Sequence, residues 1–165
     1  MAIDMRRARE FLGERRFALV GASRDEKDFS RMLLRELTRR GYDVVPVNPA
    51  SDEIAGRRCF ARVQDVDPPV AAALLLTPPE QTARIVRDCV EAGVRRVWMH
   101  RGGGRGAASA SAVALCTENG IDAVTDLCPF MVLDGAGFPH AAHGWMRRTF
   151  GREVVASAPP ALRQR

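Results

Sequence analysis

Five short apolar runs, separated by helical patterns, restrict this chain more than any other feature. They are "RFALVG" (16–21), "YDVVPVN" (42–48), "VAAALLL" (70–76), "RRVWM" (95–99) and "IDAVTD" (121–126). Strands this continuously apolar have no polar face to offer water, so both faces must be covered. Strand and helix in strict alternation then predict a parallel sheet between two helix layers. With right-handed crossovers this is a doubly wound, Rossmann-like α/β fold of about five strands.

The connecting segments carry helix signals. Residues 2–15 read as a first helix, with Ile3, Phe11 and Leu12 as its apolar contacts. In residues 28–40, Phe29, Met32, Leu33 and Leu37 share one face, and Gly41 stands where a helix-ending glycine belongs. Pro46 offers no N–H to a ladder, which predicts that its strand is an edge or that it sits at a strand end. "TPPE" (77–80) reads as a capping box with Thr77 as N-cap, Pro78 first in the helix and Glu80 third. That helix should run to about Ala92, burying Ala83, Val86, Cys89 and Val90, and stop at Gly93. A further helix is expected over about 108–119, ended by Gly120.

A last helix over about 139–150 would place Phe138, Ala142, Trp145, Met146 and Thr149 on one side. This stripe is expected to dock on the sheet or on a second copy of the chain, as in a homodimer. Arg147, Arg148 and Arg152 would form its solvated face. The domain is expected over 1–152, with 153–165 as a flexible tail.

Composition excludes several classes. The chain has 165 residues, 46% hydrophobic and 27% charged, which suits one soluble globular domain. No apolar run approaches the roughly 18 residues of a membrane span, and the first twenty residues lack a signal peptide's apolar region. A cytoplasmic location is therefore expected. Cys59, Cys89, Cys116 and Cys128 contain no paired CxxC spacing. Reduced, buried thiols are expected rather than a zinc site. The net charge of +5 rests almost wholly on arginines interleaved with acids, and Lys27 is the only lysine. No concentrated basic patch for nucleic acid emerges.

In a doubly wound sheet the ligand lies beyond the carboxyl ends of the strands. Those ends are Gly21–Ser23, Asn48–Pro49, Thr77–Pro79, His100–Gly102 and Asp126–Cys128. Against the dinucleotide fingerprint GxGxxG, only Gly21 is kept; the second and third glycines are Ser23 and Glu26. Gly21 permits a tight turn, and the amides of Ala22 and Ser23 can face an anion. A dinucleotide enzyme usually carries an acid after its second strand for the ribose hydroxyls. Here Asn48 stands there, a neutral group that would not repel a ribose-borne phosphate. Arg24 and Lys27 in the neighbouring loop are cations suited to phosphate.

Other chemistry-bearing residues fit bland roles. His100 is placed to act as an acid or base but is expected to be a hydrogen-bonding loop histidine. Cys128 lies near the cleft and is expected to be a packing thiol. His140 and His143 form an H-x-x-H in search of a third ligand, with Cys128 as the sole recruit. No metal site is assigned. No Ser–His–Asp set or carboxylate pair is evident.

Taken in order, "VGASRDEKDFSR", "RGYDVVPVNP", the Gly and first Arg of "IAGRRCF", "LLLTPPEQT", "AGVRRVWM" and "CPFMVL" resemble the CoA-binding domain proteins. These are single-domain relatives of the N-terminal CoA-binding domain of the succinyl-CoA synthetase alpha subunit. The likeness spans about residues 14–151. It implies a fold that holds the nucleotide portion of coenzyme A, or of an acyl-CoA. Gly21, Ala22 and Ser23 would line the diphosphate, with Arg24 and Lys27 by the phosphates. Asn48 and Pro49 would sit by the ribose and adenine. Thr77, Pro78 and Pro79 would pack along the pantetheine or adenine. The synthetase's phosphorylated histidine belongs to a later domain absent from this chain, so ligase activity is not implied. "HRGGGRG" (100–106) is richer in glycine than the family's corresponding loop. The competing readings are an NAD(P)-dependent oxidoreductase, against which the missing glycines and Asn48 speak, and, more weakly, a nucleic-acid-associated regulator.

Overall fold

The computed structural model describes residues 2–101 and 105–133. Five parallel strands form one sheet: β1 (Arg16–Val20), β2 (Asp43–Val47), β5 (Ala72–Leu75), β6 (Arg96–Met99) and β7 (Asp122–Val124). A short antiparallel pair, β3 (Glu53–Ile54) and β4 (Arg57–Arg58), forms a separate ribbon. The order across the sheet is β2-β1-β5-β6-β7. The chain steps outward from β1 to β2, then returns past β1 to β5. The strand order therefore reverses between β1 and β5, and a crevice opens there.

Side-chain alternation splits the core into two faces. Phe17, Leu19, Ala72, Leu74 and Trp98 pack under α1 (Ala2–Gly13), α2 (Phe29–Arg39) and α5 (Pro129–Leu133). Ala18, Val20, Ala73, Leu75, Val97 and Met99 pack under α3 (Pro79–Glu91) and α4 (Ala110–Glu118). The two helix layers expected from the apolar strands are thus present. Phe11 is buried, with Leu12 packed partly against the same core; Ile3 lies outside the described side chains.

Pro46 does lie on an edge strand, and the outer side of β2 is itself covered. The Phe60 amide donates to Pro46 O (3.1 Å), and the Asn48 amide donates back to Phe60 O (2.9 Å). The capping box at Thr77 is corrected. The helix starts one residue later, at Pro79, with Pro78 extended (φ −56°, ψ 145°) as a cap without a side-chain bond. The reason is steric: a residue before proline is pushed out of the helical region, and both Thr77 and Pro78 precede one. The hydroxyl of Thr77 instead lies 3.5 Å from that of Thr82, which donates to Pro78 O.

All four cysteines are free and buried, as their spacing suggested. Among the described residues no helix is long and apolar enough to cross a membrane. The helix expected over 139–150, its stripe, His140 and His143, the three terminal arginines and the 153–165 tail lie outside the described residues, as do 102–104.

Candidate functional site

A cleft of about 590 Å³ opens over the carboxyl ends of β1, β2 and β5, within the usual range for small-ligand sites. It lies at the strand reversal, so topology and cavity agree. Its apolar lining includes Val20, Val47, Val63, Leu76 and Ile85. Of the residues singled out from sequence, Gly21, Asn48, Pro49, Thr77 and Pro78 line the cleft.

Gly21 is required where it stands. Its φ is +89°, and a Cβ there would come within 3.1 Å of Thr77 Cγ2. A side chain would therefore strain the backbone and push into the loop after β5. Asn48 is tied down at both ends. Its Nδ2 donates to Ala22 O (2.7 Å), and its Oδ1 accepts from the Ala50 amide (2.8 Å). It joins the turn after β2 to the loop after β1, and it lines the cleft while doing so.

The first loop is otherwise occupied with itself. The Ser23 amide donates to Ser30 Oγ (2.8 Å), the Asp25 amide to Ser23 Oγ (3.0 Å) and the Lys27 amide to Asp25 Oδ1 (2.9 Å). Asp28 caps α2 by accepting from the Ser30 amide. Ala22 is fully buried beneath. Arg24 and Lys27 are exposed; they, Ala22, Ser23, Pro79 and His100 are all absent from the cleft lining.

His100 ends β6 on the same edge of the sheet. Its ring stacks on Phe29 at 4.6 Å, nearly parallel at 11°. Its Nδ1 is buried with no hydrogen-bond partner among the described residues, and burial pushes the imidazole down to about 4. His100 is therefore neutral near pH 7. Arg101 beside it pairs with Asp126, whose φ is +59°. Cys128 is buried at the end of the next loop, and burial raises its thiol above the ordinary range. Among the described residues no group of three or more His, Cys, Asp or Glu is placed to hold a metal.

Sequence reasoning missed one wall of the cleft. It is built by Ala61, Arg62 and Val63, where the chain enters the turn Val63–Asp65, and by Gln81, Arg84 and Asp88 from α3. Asp88 is 5% exposed. One of its carboxylate oxygens accepts from Arg62 (2.7 Å) and Gln64 (3.4 Å), the other from Arg84 (3.5 Å). The Arg84–Asp88 spacing of four along a helix was visible; the arrival of Arg62 from a segment without helical or strand pattern was not.

The model of the family described as CoA binding domain matches residues 15–134, which contain the whole sheet and the cleft. The chain is similar to the uncharacterized protein YneT of Bacillus subtilis, 25% identical over 114 residues, 69% of this chain and 82% of that protein. It is also similar to the ADP-forming acetate–CoA ligase of Methanocaldococcus jannaschii, 28% identical over 78 residues. That match covers 47% of this chain but only 11% of the ligase. Among solved structures, a hypothetical protein from Pyrococcus horikoshii superposes with a TM-score of 0.72 at 28% identity, covering 79% of this chain and 92% of that one. The apo dinucleotide-forming acetyl-coenzyme A synthetase 1 of Ca. Korarchaeum cryptofilum gives 0.58 at 29% identity, covering 66% of this chain and 25% of that one. With the family model spanning both the sheet and its cleft, the chain belongs to the CoA binding domain family.

Proposed function

We propose that this chain binds the nucleotide portion of CoA or an acyl-CoA in the cleft between the ends of β1, β2 and β5. The observation that carries the proposal is that the family match and the cavity coincide. The cleft is lined by Gly21, Asn48, Pro49, Thr77 and Pro78, from the same three loops whose motifs resemble the family. Its chemistry suits such a ligand: apolar walls for adenine, a side-chain amide at Asn48 for the ribose, and guanidinium groups for phosphate.

Ala22 supports the turn from the core, and Ser23 through its bonds with Ser30 and Asp25. Arg24, Lys27, Pro79 and His100 stand outside the cleft lining. They would meet only those parts of the ligand that leave it, such as the pantetheine arm running along the sheet edge. Bound CoA would supply a thiol or thioester; no reaction is assigned to the chain's own residues. Four free thiols suit a reducing cytoplasm. An oxidoreductase role gains no support from the similar proteins, and neither does a nucleic-acid role.

Calorimetry with CoA, dephospho-CoA and NAD tests the proposal. CoA should bind most tightly. Binding of NAD alone, or equal binding of all three, would refute it.

A further inference from the structure

The wall missed by sequence reasoning holds the only charged residues that line the cleft among those described: Arg62, Arg84 and Asp88. Asp88 is buried, while the side chains of Arg62 and Arg84 are 51% and 61% exposed. One carboxylate thus anchors two guanidinium groups from different elements, at the mouth of the cleft. Each guanidinium has five N–H donors in a fixed plane. Among the described residues, Arg62 makes one hydrogen bond, to Asp88, and a looser approach to Glu91 at 4.0 Å, and Arg84 makes one, to Asp88. Donors on both therefore remain for a ligand, and the lining keeps one net positive charge.

In the first loop the Ser23, Asp25 and Lys27 amides are taken by nearby side chains, and the exposed Arg24 and Lys27 stand outside the cleft lining, so the anchored pair is the cationic feature of the lining itself.

Resting on the proposed CoA reading, we infer that Arg62 and Arg84, positioned by Asp88, recognise a terminal phosphate on the ligand's ribose and set the preference for phosphorylated nucleotide. A terminal phosphomonoester carries nearly two charges on three exposed oxygens. Two guanidiniums side by side answer it with paired, charge-assisted bonds. Their half-exposed position fits a group that keeps part of its hydration. A bridging diphosphate carries one charge per phosphorus along a chain and makes a poorer match to two cations converging on one anchor.

The test is calorimetric titration of CoA, dephospho-CoA and NAD into the wild-type chain and the Arg62→Gln/Arg84→Gln variant. Wild type should prefer CoA over dephospho-CoA by about tenfold or more, the scale of one charge-assisted pair. The double variant should lose most of that preference while its dephospho-CoA affinity stays within about threefold, because only the phosphate contact has gone. Should the double variant not fold, Arg62→Gln and Arg84→Gln singly carry the same test, each leaving one guanidinium on Asp88. A preference that persists in the folded variants overturns the inference alone, as does a preference lost only on Arg24→Gln/Lys27→Gln. Equal binding of CoA and dephospho-CoA by wild type, with NAD excluded, also overturns it alone. A wild-type chain that binds neither CoA nor dephospho-CoA overturns the CoA reading itself.

Discussion

Asn48 donates its side-chain amide to the carbonyl of Ala22 across 2.7 Å, and so ties the loop after β2 to the loop after β1. Two of the three loops that frame the cleft are held together by this one residue. Its uncharged side chain has a structural cause as well as a chemical one. A carboxylate at 48 could still accept from Ala50 but could not donate to Ala22.

Asn48→Ala should therefore destabilise the fold by about 1–3 kcal/mol, because a donor and an acceptor are lost beside a buried carbonyl. Asn48→Asp should weaken CoA binding further than Asn48→Ala, because it adds a negative charge to the cleft wall. Urea midpoints and calorimetry check the two halves. An Asp variant that binds CoA as well as the Ala variant would contradict the second.

Gly21→Ala should cost about 1–2 kcal/mol from the left-handed backbone alone, with more from the contact 3.1 Å away at Thr77 Cγ2. Ligand affinity should fall along with stability, since Gly21 and Thr77 both line the cleft. An unchanged denaturation midpoint would show that the turn absorbs the side chain.

His100 gives a pH signature. Burial lowers its folded-state value to about 4, from an ordinary 6.5. Between these values the unfolded chain binds the extra proton, so stability rises with pH across that window and is lost as pH falls from about 6.5 toward 4. The loss should approach roughly 3 kcal/mol once both states are protonated. His100→Gln should flatten this part of the curve. NMR titration of the imidazole should find it neutral at pH 6; a midpoint near 6.5 would disprove the burial effect.

The thiols should react slowly with alkylating reagents in the native state. Burial raises Cys116 to about 11 and shifts Cys59, Cys89 and Cys128 upward as well. Thiolate is the reactive form, so it is scarce at neutral pH. Mass spectrometry after brief iodoacetamide treatment should show little labelling, and four labels once the chain is unfolded. Rapid native labelling of any one thiol would refute its burial.

Much of the architecture was legible in the apolar runs. The strand at "RFALV" had to be buried on both faces, and it is: Phe17 and Leu19 face one helix layer, Ala18 and Val20 the other. Pro46 marked its strand as an edge because its missing N–H is a local property. The start of α3 was misread by one residue, since Thr77 resembles a cap until the conformational effect of two successive prolines is considered. Half of the cleft was readable too, because Gly21, Asn48 and Thr77 follow strands directly.

The sequence by itself determined the layered parallel sheet, the strand ends and hence the edge on which a ligand must lie. These follow from periodicity and from bond geometry within a few residues. Tertiary structure alone decided which charges face the cleft. Arg24 and Lys27 are near Gly21 in the chain, yet their loop closes on Ser23, Asp25 and Ser30 and leaves them exposed. Arg62 is remote from α3 in sequence, yet the fold delivers it to Asp88, 26 positions away. The physical reason is that a buried carboxylate must find its counter-charge in space, and the partner is chosen by the packing of elements rather than by distance along the chain.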